Sequence, residues 1–330
     1  MFSYYVALSY GALPHLINEK LKDMYLKPEV AVRCFTDGVA IARQIYGDRI
    51  HYPAPSVPPI SYIHLSALGA RIQFPKDDGE PNARPAGFAS IDEAIERVEQ
   101  PIDYTECEWV KNRQKFAEQM GKILGQSITP SLGLEGPITT AALLYGSNIY
   151  AELIAQPNKS LRFLKAITDS IIDFTRFVRG SSTIGSSHGT CDDLSSLVSP
   201  KMWKNFVLPF WNMIYESFTN DKRHLHCENL TQGHLPLLND ISISFFDPSH
   251  APSLRPWMLR KHLQMDWQWR IQDVHVMEGT DRMRKEIEEA VENGASHIPL
   301  YICYTGERSV SPEHVDFFIR TAEELGGTSS

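Results

Sequence analysis

From Ser127 onward the chain alternates short apolar runs with longer segments of helical periodicity, and that order restricts the fold more than any other feature. The run Ser127 to Leu134 stops at Glu135-Gly136-Pro137, a combination that ends a strand and opens a helix at Thr139. Leu161, Leu164, Ile167, Ile171, Phe174 and Val178 recur at three and four residues with charges opposite, the stripe of a helix laid on a sheet or a neighbouring helix. His224 to Glu228 reads as a short strand, followed by a helix near His234 to Leu238 and a strand from Ile241 to Phe246. A helix from Asp281 to Asn293, a strand from His297 to Cys303 and a helix from Pro312 to Leu325 complete the series. Strand then helix recurs at least four times. Such alternation favours parallel strands, whose connections must cross over through a dozen or more residues. At 330 residues the chain suits one (β/α)8 barrel, an α/β domain over 1–330, better than two open sheets.

The first sixty residues predict a helical addition to that barrel, because Val30, Val32, Phe35, Val39, Ala42 and Ile45 keep helical spacing. Pro53, Pro55, Pro58 and Pro59 deny backbone donors between Tyr52 and Ile60, which predicts a surface loop, and Phe74 to Gly87, with Asp77, Asp78, Gly79 and Pro81, predicts another. A helix is expected over Glu106 to Leu124. The polar, glycine-dotted segment Ser181 to Leu194 breaks the alternation, and Ser199-Pro200 starts a further helix.

Forty acidic against 32 basic residues give a formal charge of -8, which argues against nucleic acid as a partner, since that affinity rests on dense Lys and Arg. No stretch approaches the roughly 18 apolar residues of a membrane span. Met1 to Tyr10 lacks the features of a signal peptide, so no membrane association and a cytoplasmic protein are expected. The five cysteines are widely spaced without a CxxC pair, which predicts reduced thiols rather than a disulfide framework.

In a (β/α)8 barrel the active site forms where the strands end, so polar residues just after apolar runs are the first candidates. These are Glu135, the pair Asp192-Asp193, the run His224 to Asn229, Asp247, and Cys303 to Glu307. Asp192 and Asp193 fit two roles, capping the helix that follows or gripping the guanidine-like edge of a pterin through parallel hydrogen bonds. Alternation along a strand sends His224, His226 and Glu228 to one face and Cys227 to the other, so a thiol nucleophile beside His226 carries little weight. The same three side chains could converge on a metal, with Cys303 as a distant sulfur ligand. Trp257, Trp267 and Trp269 read as packing residues more than as a flat-ligand pocket. The chain carries neither a P-loop nor GxGxxG.

Gly136-Pro137-Ile138-Thr139-Thr140-Ala141, then Gly146, then Pro157 entering a long helix, resemble the GPxTxA, G and dPe pattern of the uroporphyrinogen decarboxylase superfamily. The helix from Ser199-Pro200 to Phe206-Val207-Leu208-Pro209 resembles its iSPxxfxefvlP block, and Leu68-Gly69-Ala70 and Ser311-Pro312-Glu313-His314-Val315 are similar to weaker signatures. The resemblance runs from about Pro28 to Leu325 and implies the same barrel. Within the superfamily, the decarboxylases carry an MRQAGR block and a central aspartate; this chain lacks the block, and Ser61 to Leu68 holds no aspartate. The zinc-dependent corrinoid:thiol methyltransferases use an HxC pair and a later cysteine. Here that set would fall on His224, His226 and Cys303, without a complete HxC pair.

Arg223 through Pro236, with Cys191-Asp192-Asp193 upstream, is most similar to the branch that methylates tetrahydrofolate from a methylcorrinoid protein, as in glycine betaine use. That resemblance implies methylcobalamin on a partner corrinoid protein as donor and tetrahydrofolate as substrate. For that chemistry Asp192, Asp193, Asn229, Asp247 and Glu135 are expected to bind the substrate and Glu228 and His226 to manage the N5 proton as general acid or base, with no metal, since N5 is already a neutral nucleophile. A zinc-dependent thiol methyltransferase and a non-catalytic pterin- or corrinoid-binding barrel are the competing expectations.

Overall fold

The computed structural model describes residues 1–76, 78–303 and 310–330. Six regular strands build most of a parallel wall: β1 (Ser3–Leu8), β2 (Gly185–Cys191), β3 (Thr219–His226), β4 (Phe245–Asp247), β5 (Asp266–Trp267) and β6 (His297–Ile302). Strands β2, β3, β4 and β5 are neighbours in that order, and β1 pairs with β6 in register from Ser3 opposite His297 to Leu8 opposite Ile302. Parallel bridges from Gln268 to His297 and from Ile271 to Leu300 join the two sheets, and Ala7 bridges to His51 on the far side of β1. Two irregular stretches close the circle. His64 N donates to Gly133 O at 3.2 Å and Gly136 N to Cys191 O at 2.6 Å, which sets residues 133–136 beside β2. The fold is a (β/α)8 barrel.

Around the wall lie α1 (Pro137–Tyr145), α2 (Pro157–Arg179), α3 (Pro200–Phe206), α4 (Leu208–Phe218), α5 (Thr280–Glu292) and α6 (Pro312–Glu324). Pro at the first turn starts α1, α2, α3, α4 and α6, where its missing N–H costs nothing. Helix α2 buries Phe163, Leu164, Ile167, Ile171 and Phe174, each contributing about 1.5–3 kcal/mol of transfer free energy. Trp267, Trp269 and Ile271 alternate into the helix layer, which turns Gln268 and Arg270 to the opposite side, and Trp257 is exposed.

Several expectations need correction. The first sixty residues are not simply a helical addition, because Ser3–Leu8 is a wall strand whose Tyr4, Val6 and Leu8 are buried. Helical turns over residues 28–46 follow it, through a π-type turn at Cys34–Gly38. The proline-rich stretch 52–60 is a loop, but Val57 and Ile60 are buried beneath it. Within the expected loop 74–87, of which Asp77 lies outside the described residues, Asn82–Arg84 is a strand that pairs antiparallel with Arg71–Gln73 just before the loop. Residues 127–134 occupy a wall position without regular strand pairing. Conversely, Gly185–Cys191, read only as an interruption, is a full barrel strand. The helix expected near His234 is a 3-10 turn over Leu235–Ile241, and the strand expected from Ile241 begins at Phe245. Among the described residues no helix is long and apolar enough to cross a membrane, and all five cysteines are free thiols.

Candidate active site at the barrel mouth

Parallel register lines up Cys191, His226 and Asp247 as neighbours on β2, β3 and β4, at the ends where the strands leave the barrel. His226 Nδ1 meets Asp247 Oδ2 at 2.8 Å, and Asp247 also takes Ser249 N at 2.8 Å and Arg270 Nη2 at 3.3 Å. Arg270 lies over the Tyr301 ring at 4.5 Å, and the Tyr301 and Tyr5 hydroxyls are 2.6 Å apart. This chain fixes the imidazole and leaves its Nε2 facing Asp193 Oδ1 at 3.6 Å and Glu228 Oε1 at 3.9 Å. Burial pulls the His226 pKa down, but the Asp247 hydrogen bond and the surrounding carboxylates prevail and hold it above the ordinary value. Burial pushes Asp247 the other way, yet its bond to His226 and the Arg270 charge keep it below the usual range.

The motif around Gly136 explains how the next strand contributes. Asp192 is fully buried, and its carboxylate accepts Thr139 N at 2.7 Å, Ile138 N at 3.3 Å and Trp211 Nε1 at 2.7 Å. It therefore caps α1 from across the wall, satisfying two of the free N–H groups of that helix start. Gly136 is required because a Cβ there would sit 2.5 Å from Asp192 Cβ and 2.7 Å from Cys191 O. Thr139 Oγ1 in turn accepts Leu194 N at 3.0 Å. These bonds lock Glu135 against Cys191 and Asp193.

Glu135 is buried with hydrogen bonds from Cys191 and Ser61; burial first, then the charges of Asp193 and Asp192, push its pKa up to about 8. Burial likewise raises Asp193, whose Oδ1 accepts Glu228 N at 2.9 Å. Burial also drives the Cys191 thiol far up, and its Sγ donates to Asp193 Oδ2 at 3.6 Å. Among the described residues the mouth thus gathers Glu135, Asp193, Glu228 and Asp247 around His226 and Arg270.

Of the residues read from sequence, the structure brings Glu135, Asp193, His226, Glu228 and Asp247 together. It separates Asp192, whose oxygens are spent on α1 and Trp211, so its assignment to a ligand is corrected to a structural cap. Asn229, next to Glu228, is exposed at φ 58°, and its N–H donates to His250 O. The metal set His224, His226 and Cys303 is not assembled. His224 lies a step down the barrel beside Gly189 and Phe245, and Cys303 is not among the ligand atoms that cluster with His226. The metal-capable trio among the described residues is Cys191, Asp193 and His226, with ligand atoms within 4.8 Å of one another. Cys227 is buried against Ser195 and Asp192 O, away from His226, as strand alternation requires. Residues 304–307 of the expected fifth candidate segment lie outside the described residues.

Sequence reasoning passed over Cys191 as a site residue, and over Arg270, Tyr5 and Tyr301. Only Arg270 had a readable signal, the period-two run Trp267, Trp269, Ile271 that turns residue 270 inward.

Among curated proteins none matches the chain. A methyltransferase from Methanosarcina mazei is similar in structure at a TM-score of 0.66 and 15% identity, over 97% of this chain and 94% of that one. A B12-independent methionine synthase from Shewanella sp. W3-18-1, in complex with selenomethionine, reaches a TM-score of only 0.42 at 11% identity, over 78% and 74%. At such identities the likeness concerns the fold alone. The family model described as uroporphyrinogen decarboxylase (URO-D) matches residues 49–325, most of the chain and all the mouth residues beyond Tyr5, and the chain therefore belongs to the uroporphyrinogen decarboxylase family.

Proposed function

We propose that the protein is a methyltransferase that moves a methyl group from a methylated corrinoid protein to N5 of tetrahydrofolate. The observation that carries the reading is the charge of the mouth: among the described residues three carboxylates, Asp193, Glu228 and Asp247, surround His226, and Arg270 is already paired to Asp247. A porphyrin bearing several carboxylates would be repelled there, which sets decarboxylation of such a substrate aside. A pterin offers the opposite pattern. Its amino and ring N–H donors suit Asp193 and Glu228, and Glu135, protonated at neutral pH, can donate to a ring acceptor.

In the reaction the N5 lone pair forms the new N–C bond while the cobalt–carbon bond breaks, its electron pair staying on cobalt as cob(I)alamin. N5 releases its proton. His226 Nε2 is the free base aimed at the mouth, Asp247 orients the ring and stabilises its charged form, and Glu228 shares the proton. No further Lewis acid is needed, because N5 is already a neutral nucleophile. The test is anaerobic mixing of the protein with methylcobalamin and tetrahydrofolate. Cob(I)alamin absorbance rising with methyltetrahydrofolate supports the proposal, and a flat trace with both substrates present refutes it.

A second reading has one observation behind it. Cys191, Asp193 and His226 would hold a zinc ion, and Asp247 behind His226 is the carboxylate partner that metal-bound histidines ordinarily have. Such an ion would supply activation of a thiol acceptor. About one zinc per purified chain, lost in Cys191→Ser, would favour this reading over transfer to folate.

A further inference from the structure

The hollow at the mouth continues into the barrel. A cavity of about 570 Å³ is lined at one end by Cys191, His226 and Asp247 and at the other by Val178, Arg179 and His188. Interiors of such barrels are ordinarily filled by layers of side chains. Here Gly189, one step below Cys191 and in register with His224, contributes none and is itself exposed. The wall is also open beside it. Strand β2 ladders only with β3 among the described residues, and residues 127–136 reach it through Gly136 N to Cys191 O. Val178 continues the apolar stripe of α2 yet is 42% exposed, because it borders this gap rather than the core.

The two ends of the cavity differ in charge. The mouth is acidic, whereas the outer end carries Arg179, whose Nη2 meets His188 Nδ1 at 2.7 Å and whose guanidinium lies 4.7 Å over the Phe218 ring. Between them the His224 and Phe245 rings, with centroids 5.7 Å apart, offer flat aromatic surface. From Cys191 to His188 the strand advances three residues, roughly 10 Å. A molecule that fits has a donor-rich head, a flat middle and an anionic tail. Its carboxylates could not leave through the mouth without passing Asp193, Glu228 and Asp247, carboxylates of their own sign.

We infer that the aminobenzoyl-glutamate tail of the folate acceptor lies in this lateral cavity, with its carboxylates at Arg179, while the pterin head sits at the mouth. The inference rests on the folate reading above. It leaves the mouth clear for the carrier protein, so acceptor and carrier bind together instead of competing for one opening.

Anaerobic calorimetry on the full chain with tetrahydrofolate and with 6-methyltetrahydropterin, which has the head without the tail, tests it. The native protein should bind tetrahydrofolate more tightly. Arg179→Ala should raise the Kd for tetrahydrofolate about tenfold or more, as expected for a lost hydrogen bond to a charged group, and leave the Kd for 6-methyltetrahydropterin unchanged. Gly189→Leu should show the same selectivity by filling the void, and it has room, since a Cβ there meets nothing nearer than His224 Cβ at 3.9 Å. Equal weakening of both ligands, or of neither, overturns the placement of the tail. Native protein that binds neither pterin overturns the folate reading itself, and the inference with it.

Discussion

Replacing Asp192 by alanine separates a structural from a ligand-binding role for the adjacent aspartates. The native carboxylate is fully buried, and burial pushes its pKa up to about 6 despite three donors, so at pH 7 it is mostly ionised. Alanine would orphan Thr139 N and Trp211 Nε1, each now 2.7 Å from the carboxylate, and the weaker bond from Ile138 N. A buried donor without an acceptor costs about 1–3 kcal/mol, and relief of the buried charge offsets part of the sum. A net loss of about 3 kcal/mol follows from those two contributions. Asp192→Asn should be nearly as damaging, because its amide nitrogen would face a donor where an oxygen now accepts. Asp193→Ala, removing a partly exposed side chain with one backbone bond, should cost under about 1 kcal/mol and act on catalysis instead. Urea unfolding followed by tryptophan fluorescence measures both, the slope staying constant while the midpoint moves. If Asp192→Ala unfolds at the native midpoint yet loses pterin binding, the cap assignment is wrong and Asp192 is the ligand contact.

Three further perturbations read other parts of the same construction. Gly136→Ala should destabilise by a few kcal/mol, as overpacking against fixed backbone does, because its Cβ would meet Cys191 O at 2.7 Å; a native unfolding midpoint would show that the strand yields freely. Asp247→Asn removes the main influence holding His226 above its ordinary pKa. If neutral His226 accepts the proton, the rising limb of the pH–rate profile should move to lower pH while the plateau rate falls, and an unmoved limb would exclude His226 as the base. Glu135→Gln mimics the protonated acid present below about pH 8, so the variant should match the native rate at pH 6.5 and lose any inflection near pH 8; a large loss at pH 6.5 would mean the carboxylate is needed ionised.

The barrel was legible where strands are apolar or helices striped, and illegible where a strand has unusual surroundings. Gly185–Cys191 reads Gly-Ser-Ser-His-Gly-Thr-Cys, which lacks the Val, Ile and Leu of a strand covered on both faces. Its lumen face borders an open cavity rather than packed side chains, so the sequence lost its apolar signature there for the same reason that the hollow exists. Ser3–Leu8 failed differently. Tyr4, Val6 and Leu8 do alternate inward to the helix layer, but three positions at a chain end are too few for periodicity to stand out. Residues 127–134 misled in the opposite direction, since an apolar run tells of burial and not of ladder hydrogen bonds.

Asp192 and Asp193 show why the site was only half legible. Composition and position made them equivalent: two carboxylates after a strand, either of which could cap a helix or grip a ligand. The strand end sends consecutive side chains to opposite sides, so one must enter the helix layer and the other face the mouth. Which does which depends on register, and register is set by partners distant in sequence: Cys191 against His226, and Gly136 N on Cys191 O. The helix-layer residue then needed donors, and the start of α1 with Trp211 supplied them, with Gly136 giving the room. The same parity argument, applied to His224 and His226, put both correctly in the lumen yet could not assign their level. Level decides chemistry here, because on the next strand Asp247 stands beside His226 whereas Phe245 stands beside His224. A histidine becomes an oriented base by its neighbour on the next strand, which no local spacing encodes.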